Sequence, residues 1–110
     1  DISVTYASIY KQFEQEHCYY NFELSNVELL FELFDKYEQE TLSILTKDYA
    51  FPAYEFCLKC SHVFNLLDAR GVVSVSERTA YILRIRKLAR KCATSYLKSI
   101  GQLEKGHEKK

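Results

Sequence analysis

Ser61-His62-Val63-Phe64-Asn65-Leu66-Leu67-Asp68-Ala69-Arg70-Gly71-Val72-Val73-Ser74-Val75-Ser76-Glu77-Arg78 is the stretch that decides the fold. Apolar residues recur at helical steps as far as Leu67, and Gly71 then suits the left-handed residue that ends many helices. Ser74 is followed three residues later by Glu77, a pair that can satisfy two free backbone N–H groups at a helix start and is worth about 1 kcal/mol. A helix therefore stops near Ala69 or Arg70, and another opens at Ser74. Asp68 sits in the last turn of the first of these helices, against the negative end of its dipole, and needs a cation. Arg70 and Arg78 are the candidates.

Working outward, Ala53, Phe56, Cys57, Cys60, Phe64 and Leu67 form the buried stripe of the helix before the turn, with Pro52 in its first turn. Ile82, Ile85, Ala89, Cys92, Tyr96 and Ile100 do the same for the helix after it. Upstream, Ser25 with Glu28 makes a second capping box, Leu24 and Leu29 are placed to form a hydrophobic staple, and Val27, Leu30, Phe31, Phe34, Thr41, Ile44 and Leu45 continue as a helix of about twenty residues. The remaining helix is expected from about Thr5 to Tyr20, burying Tyr6, Ile9, Tyr10, Phe13 and Tyr20. With only 3 Gly and 1 Pro in 110 residues, the shortage of turn formers argues against a many-stranded sandwich or barrel. The expectation is all-α: a four-helix, antiparallel-type bundle over residues 1–103 as one domain, with a disordered basic tail over 104–110.

No run reaches the roughly 18 to 20 apolar residues that cross a bilayer, and the N-terminus lacks the order of a signal peptide, so a soluble, cytoplasmic protein without a membrane partner is expected. Asp1 in first place is read as the mark of a piece of something longer. The formal charge of zero hides a division: residues 1–70 carry 5 Lys/Arg against 12 Asp/Glu, and residues 71–110 carry 10 against 3. Either the halves neutralise each other or the basic half faces an anionic partner.

The basic residues concentrate on the last helix as Arg84, Arg86, Lys87, Arg90 and Lys91, with Lys98 beyond. These five are the candidate contacts for an anionic partner, RNA or DNA among them, because cations repeated along one face can meet phosphates in series. Pairing with the acidic second helix, through Glu28, Glu32 or Asp35, is the competing explanation. Cys57-Leu58-Lys59-Cys60 has zinc or redox spacing but lies inside a helix with both sulfurs on the apolar stripe, and the other possible ligands, His17, Cys18, His62 and Cys92, are scattered. His62, Asn65 and Asp68 fall at three-residue steps, which places them on a helix flank without a nucleophile beside them. Asn65, Asp68, Arg70, Gly71, Ser74, Glu77 and Arg78 are assigned to the hinge; no residue is assigned to catalysis, cofactor or metal.

Pro52-Ala53-Tyr54, Leu58-Lys59, Ser61-His62, Phe64 to Arg70, Ser74 to Arg78 and Tyr81 to Arg86 together resemble the alpha subunit of bacterial tetrameric glycyl-tRNA synthetase. Tyr20-Asn21-Phe22-Glu23, Leu30-Phe31, Phe34 and Tyr37-Glu38 continue the likeness upstream, so that it spans about residues 5 to 100. The resemblance implies a ligase that joins glycine to its tRNA with ATP and Mg, built from two alpha and two beta subunits. It places this chain in the C-terminal helical part of the alpha subunit, beyond the class II catalytic core. The core's motifs, including an arginine on a Gly-Leu-Glu-Arg segment, have no counterpart here. The implied partners are that core, the second alpha subunit, the beta subunit and tRNA, and the chain alone is expected to be inactive. A free-standing helical adaptor binding an anionic protein or RNA surface through its basic helix is the alternative.

Overall fold

The computed structural model describes the backbone of residues 5–108 and the side chains of residues 5–101. It contains α1 (Tyr6–Tyr19), a π-helical turn (Tyr20–Leu24), α2 (Val27–Leu45), α3 (Ala50–Ala69) and α4 (Val75–Glu108). The described residues are all-α, with the expected four helices and no strand. The backbone of α4 passes through Gly101 to Glu108, so the tail expected over 104–110 overlaps its last residues; 109 and 110 lie outside the described residues.

The core is shared by α2, α3 and α4, with α3 packed against both of the others. Leu30 and Phe34 of α2, Ala53, Cys57, Cys60, Val63, Phe64 and Leu67 of α3, and Leu88 and Cys92 of α4 are buried together. Phe34, Ala53, Cys60 and Leu67 are fully enclosed. Thr41 is enclosed as well, and its hydroxyl donates to the Tyr37 carbonyl at 2.8 Å, so no polar group is left unmade there. On α4 the most buried positions are Leu88, Cys92 and Ser95, while Tyr96 is largely exposed. The buried stripe is therefore turned by about one residue from the Ala89 and Tyr96 expected from periodicity, because Ser95 and not Tyr96 faces the α2–α3 turn, where its hydroxyl meets Asp48 at 3.3 Å.

Two expectations are overturned. Ser25 does not cap α2. Its N–H donates to the Tyr20 carbonyl at 2.9 Å to close the π-helical turn, and its hydroxyl is buried without a partner. Asn26 is the cap instead, its Oδ1 accepting from the Leu29 N–H at 3.0 Å. The stripe on α1 is not buried either. Thr5 and Ser8 cap this helix reciprocally, as its expected start requires, but α1 has no buried residue and packs against none of the bundle helices. Tyr6 is 85% exposed and Phe13 53%. The π-helical turn inserts an extra residue between α1 and α2, which carries α1 away from the core its stripe would have joined.

The connection between α2 and α3 runs over 46–49 and includes Asp48 with φ 57, a left-handed conformation that Asp tolerates better than most residues. α3 begins at Ala50, and Pro52 lies in its first turn, where a backbone N–H is not needed. Gly71 has φ 70 directly after α3, as the sequence predicts.

Candidate functional site

The turn between α3 and α4 is held by side chains from three elements. The Ser74 hydroxyl accepts from the Glu77 N–H at 3.2 Å, and the Glu77 carboxylate accepts from the Ser74 N–H at 3.3 Å, the reciprocal cap read from the sequence. The Arg78 guanidinium donates to Oδ1 of Asp68 from Nη2 at 2.6 Å and from Nε at 3.1 Å, which supplies the cation that a carboxylate at a helix C-terminus needs. Arg70 does not take that role. Its Nη1 donates to the carbonyls of Phe22 at 3.2 Å and Glu23 at 2.7 Å, where it satisfies acceptors freed by the π-helical turn and ties the N-terminal arm to the hinge. Asn65 is exposed on the flank of α3.

Nearly two turns further along α4, the half-buried Arg84 is bound across to α2. Its Nε and Nη2 donate to the two Glu38 oxygens at 3.0 and 2.6 Å, and Nη2 also donates to Asp35 at 2.8 Å. The guanidinium lies 4.7 Å from the Phe34 ring centroid and 5.1 Å from that of Tyr81. Hydrogen bonding to Glu38 raises its pKa above the usual arginine value, against the opposing effect of burial. Pairing with the acidic helix thus accounts for Arg84, with Asp35 among the partners foreseen and Glu38 not. Asp35 and Glu38 are three apart on α2, a spacing visible in the sequence; that their face meets Arg84 depends on the fold.

The other four basic residues of the set divide between two sides of α4. Arg86 borders a shallow hollow with Ser61, Phe64 and Asn65. Lys87, Arg90 and Lys91 border a groove of about 580 Å³ between the end of α2 and the middle of α4, and Lys98 joins them there. Lys98 is bound to Asp48 at 3.1 Å. The set of five read as one contact surface is therefore one internal residue, one residue on the α3 side and three on the α2 side. Lys98, outside that set of five, lies on the same side of α4 as Lys87 and Lys91.

The cysteines behave as core residues. Burial pushes the Cys60 thiol up to about 12, with Cys57 and Glu38 adding to the effect, and burial is the leading cause of the upward shifts at Cys57 and Cys92. Cys18 is exposed on α1. Among the described residues no three His, Cys, Asp or Glu side chains come together as a metal would require. His62 shares a shallow cavity of about 510 Å³ with Phe13, His17 and Asn21, and Asp68 lies apart from it at the hinge. No helix of the described residues is long and apolar enough to cross a membrane.

The family model for the glycyl-tRNA synthetase alpha subunit matches residues 1–100, which takes in α1, the hinge and α4 as far as Ile100. The chain belongs to the glycyl-tRNA synthetase alpha subunit family. That family is part of an aminoacyl-tRNA synthetase, a ligase of protein biosynthesis, and the residues on which the resemblance rests can now be given physical roles. Phe34, Phe64 and Leu67 fill the core of this alpha-subunit chain, Tyr81 packs against Phe34 and Phe64, Asp68 and Arg78 pin its hinge, and Arg84 joins α4 to α2.

Proposed function

We propose that this chain is the C-terminal helical region of the alpha subunit, that it packs beside the class II catalytic core of the same subunit, and that it helps to hold that core with the second alpha subunit and the beta subunit. In this reading the parent enzyme ligates glycine to tRNA in the cytoplasm, ATP and Mg are bound by the core, and residues 1–110 alone ligate nothing. The observation that carries the reading is α1. Tyr6, Ile9, Tyr10 and Phe13 lie on a well-capped helix, and each is more than half exposed. Such a stripe, left outside the bundle by the π-helical turn, fits a surface that another part of the assembly covers.

The test is reconstitution. Purified chain 1–110 should show no glycine-dependent ATP–pyrophosphate exchange, and an alpha subunit made without this region should fail to assemble stably with the beta subunit. Activity should return when the intact alpha subunit is used. Glycyl-adenylate formation by the 110-residue chain alone would overturn the proposal, as would full assembly and activity of an enzyme lacking it.

A further inference from the structure

Arg84 is consumed by Glu38 and Asp35, and Lys98 by Asp48, but Lys87, Arg90 and Lys91 are exposed and have no ion-pair partner among the described residues. The three lie within one helical turn of α4. With Lys98 they extend over about 16 Å of helix, at 1.5 Å per residue. They face the groove that ends at Leu42 and Leu45 of α2 and at Thr46 just beyond it. Thr94 and Ser95 stand between the cations, and both hydroxyls already donate within the fold, to the Arg90 carbonyl and to Asp48. The groove therefore offers four positive side chains against one carboxylate, and that carboxylate is already bound.

We propose that this groove binds the phosphate backbone of an RNA helix, with Lys87, Arg90 and Lys91 as the primary contacts and Lys98 at the edge. Cations at successive positions along a helix match a polyanion whose charges repeat, and they do so without reading sequence. The groove presents no exposed aromatic platform and no unused amide for a base edge. Arg86, although on the same helix, faces the α3 side and takes no part. The choice of RNA as the polyanion rests on the reading of the chain as part of a tRNA-charging enzyme; the location of the site rests on the groove.

The test is fluorescence anisotropy of a labelled tRNA transcript titrated with the 110-residue chain across a salt series. The expected result is a log–log salt slope near −3, and affinity lost by about tenfold for each cation removed at about 50 mM salt in K87Q, R90Q and K91Q. R86Q and K36Q, which remove the same charge elsewhere, should bind as the parent chain does, with circular dichroism confirming that every variant is folded. Equal losses in R86Q and K91Q would overturn the proposal, and so would a flat salt dependence. Displacement of the tRNA by polyglutamate of matched charge as readily as by unlabelled tRNA would assign the groove to an acidic protein partner and overturn it too. The two proposals fail separately. Reconstituted enzyme carrying the triple variant should form glycyl-adenylate normally and show a raised KM for tRNA; an assembled triple variant that keeps the parent KM for tRNA would overturn only the groove, and an alpha subunit that assembles fully without this region would overturn only the scaffold.

Discussion

Arg84 of α4 and Glu38 of α2 form a two-point ion pair at 3.0 and 2.6 Å, with the guanidinium over the Phe34 and Tyr81 rings. Residues 46 positions apart in the chain are thereby joined across the bundle. The pair is half-buried, so removing one partner leaves a charge that water solvates only in part. Glu38→Ala is expected to lower unfolding free energy by about 2 kcal/mol, measured by urea titration. Arg84→Lys should recover little of what Arg84→Ala loses, because an ammonium cannot span both oxygens or stack on the rings. A lysine variant as stable as the parent would show that the planar fork is unimportant.

The hinge should divide its stability unevenly. Gly71 has φ 70 and nothing within 4 Å of where a Cβ would stand, so Gly71→Ala meets only backbone strain, about 1 kcal/mol. Ser74→Ala removes the side-chain half of a reciprocal cap and should cost about 1 kcal/mol. The Asp68–Arg78 pair is about half exposed, and a double-mutant cycle should find a coupling below about 1 kcal/mol that weakens with salt. A coupling as large as that of Arg84 with Glu38 would contradict this ordering.

The hinge was legible in the sequence because its signals are local. Gly71, the Ser74/Glu77 cap and the Asp68 that needs a cation all act within a few residues, and each holds in the structure. What failed depended on geometry between elements. Ser25 and Asn26 are equally good caps, and only the π-helical turn, which takes up the Ser25 N–H, decides for Asn26. The α1 stripe has correct helical spacing, yet spacing cannot tell a face covered within the chain from one left outside it. Lys98 finds its partner Asp48 across the groove, a pairing that depends on the turn between α2 and α3.

The buried thiols make a prediction about pH. Burial raises the Cys60 pKa to about 12 from its ordinary 9.0, and it raises Cys57 and Cys92 in the same direction. Between those values the unfolded chain has lost protons that the folded chain retains, so stability falls as pH rises. The contribution of these groups is complete below about 9 and is lost as pH climbs toward 12. In the folded protein at neutral pH, iodoacetamide should label Cys18 alone, and the other three should react only when urea unfolds the chain. Mass spectrometry showing rapid labelling of Cys57 or Cys60 under native conditions would contradict the enclosure of the core.

The sharpest consequence of the fold concerns α1, because sequence and structure assign its apolar residues opposite fates. If Ile9 and Phe13 belonged to the core, truncating them would cost about 2 to 5 kcal/mol each. They are 56% and 53% exposed, and their helix packs against none of α2, α3 or α4. Ile9→Ser and Phe13→Ser should therefore leave the urea midpoint of the 110-residue chain within about 0.5 kcal/mol of the parent, the range of ordinary surface changes. The same substitutions in the intact alpha subunit should weaken its assembly, because there the stripe has something to cover it. Arg70 gives the complementary control: its bonds to Phe22 and Glu23 set the root of α1, so Arg70→Ala should loosen the arm, seen as faster hydrogen exchange in α1 and the π-helical turn with α3 still protected. Protection lost equally across α1 and α3 would mean that the arm and the bundle unfold as one unit.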